Sequence, residues 1–166
     1  MAEQACYCTD TSALIELHAI YGSDVFVSLW QNVAGLVKDG RLIAPREVLR
    51  EIEKKDDELL RWVKKHRKIF RQQDIEQLQR AQEILSRFPD LIDPAKEIPD
   101  ADPFVVALAI IENTKRQDTL FKSHCIVLTQ EKPSRGARPK IPDVCQRYGI
   151  ECILVAELFR KEGWKF

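Results

Sequence analysis

Charge of one sign is what this sequence most plainly lacks: 26 Lys and Arg balance 26 Asp and Glu, for a formal net charge of zero. A protein that coats nucleic acid by bulk electrostatics carries a basic excess, so that class is excluded and any grip on a polyanion must come from locally clustered charge. Long hydrophobic runs are lacking too. No stretch approaches the roughly 20 apolar residues that cross a bilayer, and no basic segment leads into a hydrophobic one at the N-terminus. Neither a membrane partner nor secretion is expected, and the chain reads as cytoplasmic. A disulfide framework is also absent. The five cysteines, Cys6, Cys8, Cys125, Cys145 and Cys152, are odd in number and fall mostly in segments patterned as buried strands, which fits reduced core thiols. Cys6 and Cys8 alternate along one strand and so point to opposite faces, and the four-ligand spacing of structural zinc is missing. There is no internal repeat and no low-complexity tract.

What is present suits a globular α/β chain. With 45% apolar and 31% charged residues over 166 positions, one domain of ordinary size buries a continuous core. A short apolar run, Ala5 to Thr9, ends in the polar turn Asp10-Thr11-Ser12 and passes into Ala13 to Leu17, a strand, turn and helix start with Thr11 or Ser12 as cap. Val25, Phe26, Leu29, Trp30, Val33, Leu36 and Val37 recur at helical spacing and stop at Gly40. Arg41 to Ala44 reads as a second strand, followed by a helix from Pro45 with Val48, Leu49 and Ile52 on one face. Asp56 to Phe88 is helical and highly charged, broken near Gln72 to Asp74; it forms a helical insertion over about 56–88 in a single domain spanning 1–166.

Pro89, Pro94 and Pro99 mark an irregular connection, and Phe104 to Asn113 is a buried helix with Asp102 at or near its N-cap. Cys125 to Thr129 reads as a third strand, Gln130 to Pro142 as a loop, and a short helix surrounds Val144 and Cys145. Glu151 to Val155 is a fourth strand and Ala156 to Glu162 a last helix. Such alternation implies a mostly parallel sheet of four to five strands with helices on both faces. Ligands of such sheets gather beyond the carboxyl ends of the strands.

Three carboxylates fall at that edge: Asp10 directly after the first strand, Glu51 in the helix after the second, and Asp102 at the opening of the buried helix. Glu131, two residues past the third strand, is a fourth. Mg²⁺ and Mn²⁺ are hard cations that take oxygen ligands and keep several waters, so acids converging on one edge suit them. Without a cation, adjacent carboxylates repel and resist ionisation; a divalent ion relieves this and acidifies a water that attacks a phosphodiester in line. Neither a His nor a Ser nucleophile is then needed. Taken singly, each acid also suits a bland role, Asp10 and Asp102 as helix caps and Glu51 as a solvated helix position.

The segment Cys8-Thr9-Asp10-Thr11-Ser12-Ala13-Leu14-Ile15 resembles the first motif of PIN-domain ribonucleases, and Pro45-Arg46-Glu47-Val48-Leu49-Arg50-Glu51-Ile52 the second. Ala101-Asp102-Pro103-Phe104-Val105-Val106-Ala107-Leu108-Ala109 resembles the third, and Val127-Leu128-Thr129-Gln130-Glu131 falls where the fourth belongs. The resemblance runs in order over nearly the whole chain. It implies a PIN-like three-layer fold and a nuclease dependent on Mg²⁺ or Mn²⁺ that acts on RNA. It further implies Asp10, Glu51, Asp102 and Glu131 as catalytic, metal-holding carboxylates, with Ser12 and Thr129 in support. Glu131 stands where Asp is commoner, and Asp100 is a further supporting candidate. Lys140-Ile141-Pro142-Asp143-Val144-Cys145 resembles a prokaryotic PIN-like branch, some relatives of which are toxins of toxin–antitoxin modules; a cognate antitoxin protein would then be a partner. A catalytically inactive PIN-like module that binds RNA or protein shares these features and stays open.

Two basic segments offer phosphate contacts. Arg61, Lys64, Lys65, Arg67, Lys68 and Arg71 lie within eleven residues, interleaved with Trp62, His66 and Phe70, a pattern that suits a phosphate backbone and a stacked base. Helical spacing explains the same aromatics as core. Lys132, Arg135, Arg138 and Lys140 surround Ser134 and Gly136 just beyond the fourth acid, either as phosphate contacts or as a plain exposed loop. Other folds that open on a strand and an Asp fit less well. A dehalogenase-like phosphatase needs an acid where Ser12 stands, a receiver domain needs an acidic pair near Asp10, and a dinucleotide fold needs a Gly-rich first turn. A homodimer is one use for the apolar helix Val25 to Val37.

Overall fold

Cys6-Tyr7-Cys8-Thr9 is buried at every position, as a strand covered on both faces must be. The computed structural model describes residues 4–55, 57–96, 100–120 and 123–166; Asp56 and Pro99, read above as a helix start and part of the irregular connection, lie outside them. Its strands are β1 (Cys6–Thr9), β2 (Leu42–Pro45), β3 (Phe70–Arg71), β4 (Cys125–Leu128) and β5 (Cys152–Ile153). They form one five-stranded, all-parallel sheet in the order β3-β2-β1-β4-β5. Tyr7 and Cys8 pair with Leu42 and Ile43 on one side of β1, while Cys6 to Thr9 pair with Cys125 to Leu128 on the other.

Parallel neighbours require crossover connections, and these supply the helices α1 (Thr11–Ile20), α2 (Val27–Lys38), α3 (Arg46–Lys55), α4 (Asp57–Lys65), α5 (Ile75–Arg87), α6 (Asp102–Gln117), α7 (Ile141–Tyr148) and α8 (Val155–Glu162). The α6 helix lies against β1, β2 and β4 and packs on α5 and α7, whereas α1 packs on α3, α4 and α8. The architecture is a three-layer α/β fold. Burial of Pro103 to Ala109 along α6 explains why that helix reads as almost wholly apolar. Among the described residues no helix is long and apolar enough to cross a membrane.

Two expectations are corrected. The segment read as a helical insertion breaks where expected, yet the break contains the edge strand β3, two residues too short for alternation to reveal. The second helix begins at Val27, so Val25 and Phe26 precede it. Leu29, Trp30, Val33, Leu36 and Val37 are all buried in the chain's own core, which leaves only Val25 and Val27 of that stretch as exposed large apolar side chains. Gly40, at φ 71°, provides the left-handed turn that sends the chain from α2 into β2.

At the opposite end of the sheet from the acids, Glu162 fastens α8 to β1 and to the entry of β2. It accepts from the Tyr7 hydroxyl at 2.6 Å and from both terminal nitrogens of Arg41 at 2.5 and 3.1 Å, while Arg41 Nε–H reaches the Ala5 carbonyl at 2.9 Å. Burial, then Glu162, pushes the Tyr7 hydroxyl up from its ordinary range. Arg41 and Glu162 are mostly buried, and removing one partner of such a pair strands the other charge. Arg41→Ala is expected to cost about 3 kcal/mol of stability in urea unfolding, and Glu162→Gln less, because an amide oxygen still accepts from Tyr7.

Candidate functional site

The site starts from how β1 ends. Asp10 N–H bonds to the Leu128 carbonyl at 3.0 Å, continuing the β1–β4 ladder, and the residue then turns to cap α1, with Oδ1 accepting from Ala13 N–H at 2.8 Å. The Ser12 hydroxyl lies 2.8 Å from both Asp10 oxygens, and the Thr129 hydroxyl 2.5 Å from Oδ2. Each hydroxyl also receives a backbone N–H: Gln130 donates to Ser12 and Glu131 to Thr129, both at 3.0 Å. With an acceptor site of each hydroxyl taken up by an N–H, its one proton is free to go to the carboxylate. Ser12 and Thr129 therefore both hydrogen-bond the Asp10 carboxylate. Asp10 is 3% exposed, and burial pushes it up to about 6, against the hydrogen bonds from Thr129, Ala13 and Ser12 that favour its charged form; Glu131 pushes it further up.

Asp102 stands beside the N-cap of its helix, as expected, but does not itself cap it. Ala101 is the N-cap, Asp102 is the first helical residue and Pro103 the second. The Ala101 N–H, which a capping side chain would leave to solvent, donates to Glu51 Oε1 at 2.8 Å, so Glu51 ties α3 to the start of α6 rather than standing in solvent. Among the described residues no hydrogen bond reaches the Asp102 carboxylate. Burial, and then the charges of Glu131, Asp10, Glu51 and Asp100, push it up to about 8. All the acids singled out in the sequence thus act on one carboxyl group.

The other two acids carry structural duties as well. Glu131 Oε2 accepts from the Ile141 N–H at 3.0 Å and anchors the first turn of α7. Asp100 accepts from the Asp93 N–H at 2.9 Å and pairs with Lys96, which makes it a brace for the connecting segment. Among the described residues no three of His, Cys, Asp and Glu converge closely enough to hold an ion by themselves. The donor set is all oxygen, and among the described residues the Asp102 carboxylate accepts no hydrogen bond. It fits a hard divalent ion held by one or two carboxylates with water completing the shell, and does not fit an all-protein cage.

A family model described as a domain of unknown function, DUF4411, matches residues 7–166. The chain belongs to the DUF4411 family. No curated protein matches it. The matched span of the DUF4411 domain contains all four expected carboxylates and both supporting hydroxyls.

The basic residues of the DUF4411 domain divide differently from the sequence reading. Lys64 and Lys65 end α4 in solvent, but Arg67 and Lys68 lie in a separate 3₁₀ turn, Arg67–Ile69, rather than on one basic helix. Lys68 Nζ bonds to the Lys38 carbonyl at 2.8 Å and so serves the end of α2. Trp62 packs edge-on against Trp30 at 5.0 Å and stacks on His66 at 4.2 Å, which makes both rings structural. Lys132, Arg135, Arg138 and Lys140 are exposed; Arg138 is held by the Asp90 carbonyl at 2.9 Å, and Asp143 orders the loop by accepting from Ser134 and Lys140 N–H groups.

Two residues escaped the sequence reading. Lys96, placed in the irregular connection, brings a cation to the acids: its ammonium is pushed up first by the hydrogen bond it donates to Asp100, with Glu51 and Asp102 adding to the effect. Nothing local in the sequence marks it. Glu47, one turn before Glu51 on α3, is 2% exposed, and its Oε2 has no hydrogen-bond partner among the described residues. The four-residue spacing from Glu51 is the signal that would have found it.

Both raised carboxyls set the sign of pH dependence. A carboxyl whose folded pKa exceeds the unfolded value contributes stability below the unfolded value, and that stability is lost as pH rises through the folded one. For Asp102 the window runs from 3.8 to about 8, and for Asp10 from 3.8 to about 6. In chelator, Asp102→Asn is expected to raise the melting temperature, and by more at pH 8 than at pH 5. A shift that is equal at both pH values, or reversed in sign, would contradict this electrostatic account.

Proposed function

We propose that this DUF4411 domain is a PIN-like, divalent-metal-dependent nuclease that hydrolyses phosphodiester bonds in RNA, with Mg²⁺ or Mn²⁺ as cofactor. The observation that carries the reading is the Asp102 carboxylate: half-buried, without a hydrogen-bond donor among the described residues, and acted on by the charges of Asp10, Glu51, Asp100 and Glu131. A fold gains no stability from such an arrangement, and strongly perturbed acids in one cluster are the mark of a working site. The order of the acid motifs along the chain, as in PIN-domain ribonucleases, supports the same reading.

A divalent ion held between Asp10 and Asp102 would supply Lewis-acid stabilisation to the phosphodiester and make an attacking water more acidic. The chain's own residues supply orientation. Ser12 and Thr129 fix the Asp10 carboxylate in one rotamer, and the Ala101 N–H fixes Glu51 through Oε1. Glu131 Oε1 takes no part in the bond to Ile141, which leaves it available to orient a water. Lys96 reduces the repulsion that the phosphate of an approaching strand meets.

A catalytically inactive PIN-like module that binds RNA or protein is the second reading. The engagement of Glu131 at α7 and the lack of a three-ligand cluster among the described residues favour it. Toxin action with a cognate antitoxin rests on the family resemblance alone, and growth arrest on expression, relieved by a neighbouring gene product, tests it. The described cysteines are all free thiols, which supports a reducing cytoplasmic setting.

Single-stranded RNA incubated with the purified chain and Mn²⁺ separates the two readings. Cleavage is expected with Mn²⁺, none in excess chelator and none with Asp10→Asn; Ser12→Ala and Thr129→Val should each lose roughly 10- to 100-fold, as outer-shell partners of metal ligands do. Equal cleavage in chelator or in the Asp10→Asn chain would sink the hydrolytic mechanism, and binding without cleavage would leave the inactive module.

A further inference from the structure

Away from the acids, two cavities meet at the β3 edge of the sheet. The larger, about 470 Å³, is lined by Arg46, Lys64, Arg67, Phe70 and Arg71, with Glu53 as its one carboxylate. Its volume lies in the range of ligand clefts. In a chain with no net charge, four cations against one acid is a marked local excess, and among the described residues none of the four enters an ion pair. Like charges are not gathered for stability, so the groove is built for an anion.

The smaller cavity, about 110 Å³, shares Arg71 and Gln72 with the first and opens between α5 and α6. Gln77 lines it, is 2% exposed, and has neither its amide oxygen nor its amide nitrogen hydrogen-bonded among the described residues. Its placement is unusual for its sequence. Asp74-Ile75-Glu76-Gln77 has the spacing of a capping box, and Asp74 Oδ1 does accept from the Gln77 N–H at 2.8 Å. The returning bond from the Gln77 side chain to the Asp74 N–H is not made. Gln77 is a lining residue of the cavity, and its unpartnered amide carries one acceptor and a paired donor. Buried amides without partners are rare, and this pairing of donor with acceptor is what a nucleobase edge matches, as in the two-bond contact of Gln with adenine.

We infer that the β3-edge groove binds single-stranded nucleic acid, with phosphates on Arg46, Lys64, Arg67 and Arg71 and one base entering the small cavity to meet the Gln77 amide. The half-buried Phe70 ring supplies an apolar wall to the groove, against which an unpaired base stacks. The inference deepens the nuclease reading and rests on it for the polymer that is bound.

Binding without cleavage tests it independently. The intact chain is titrated in chelator against fluorescein-labelled RNA 12-mers of A, C or U, and anisotropy is read at several salt concentrations. Expected are salt-dependent binding and a preference among the three polymers. Arg46→Ala and Arg67→Ala should weaken all three by a similar factor and flatten the salt slope, by about 0.7 per lost phosphate contact. Gln77→Leu should erase the preference and leave the salt slope unchanged. The inference is overturned if the arginine variants bind as the wild type does. It is equally overturned if Gln77→Leu alters the melting temperature and leaves the preference intact, since the small cavity then holds only water. RNA binding that meets these expectations in a chain that fails to cleave with Mn²⁺ sinks the nuclease reading and keeps the groove; cleavage with no effect of the groove variants does the reverse.

Discussion

Everything at the carboxyl edge depends on the carboxylate of Asp10 being held by donors from the first turn of α1 and from the residue that follows β4. β1 is the central strand, and its register with β4, Thr9 opposite Leu128, places Thr129 beside Asp10. A slip of one residue would turn Thr129 to the other face and set a Leu or a Gln against a buried acid. The buried hydrophobic pairs of the β1–β4 ladder hold the register. Because the Ser12 and Thr129 hydroxyls are each fed by an N–H from the turn after β4, the position of that turn and the orientation of the carboxylate are one constraint.

The acids differ in how their charge is compensated. Glu51 and Glu131 each accept a backbone N–H at the start of a helix, at α6 and α7, where the helix dipole favours a negative charge. Asp100 has Lys96, and Asp10 has its hydroxyls and the Ala13 N–H. Among the described residues Asp102 accepts no hydrogen bond, although it too begins a helix, because its carboxylate takes no part in capping and Glu51 has taken the Ala101 N–H. The group left uncompensated therefore follows from the way its neighbours are satisfied. That is why burial and repulsion converge on Asp102 rather than spreading over the cluster.

Much of this was legible in the sequence where a pattern is local. Strand, Asp and helix start at 6–20 follow from an apolar run ending in cap residues, and the burial of α6 from its composition. The acids' convergence on the carboxyl edge follows from parallel topology. What was not legible depends on contacts between distant segments. β3 exists because Phe70 and Arg71 lie against Ala44 and Pro45, and two residues have no period to read. The basic run 61–71 looked like one helix, yet Lys68 is drawn to the end of α2 and Trp62 to Trp30. Lys96 approaches the acids only through the path of an irregular segment.

The absence of net charge, which excluded a protein that coats polyanions, takes on another meaning once the charges are placed. Acids gather at the carboxyl edge around Asp102, and cations that enter no ion pair among the described residues gather in the groove beside β3. A chain with 26 charges of each sign holds two such regions by gathering each sign locally. Segregation answers a physical conflict: a cluster of carboxylates repels the same phosphates that a nuclease must admit. On the proposed reading a cationic groove would hold the polymer without neutralising the acids, and the acids would keep the field that recruits a divalent ion. Neutrality overall and strong local fields are then compatible.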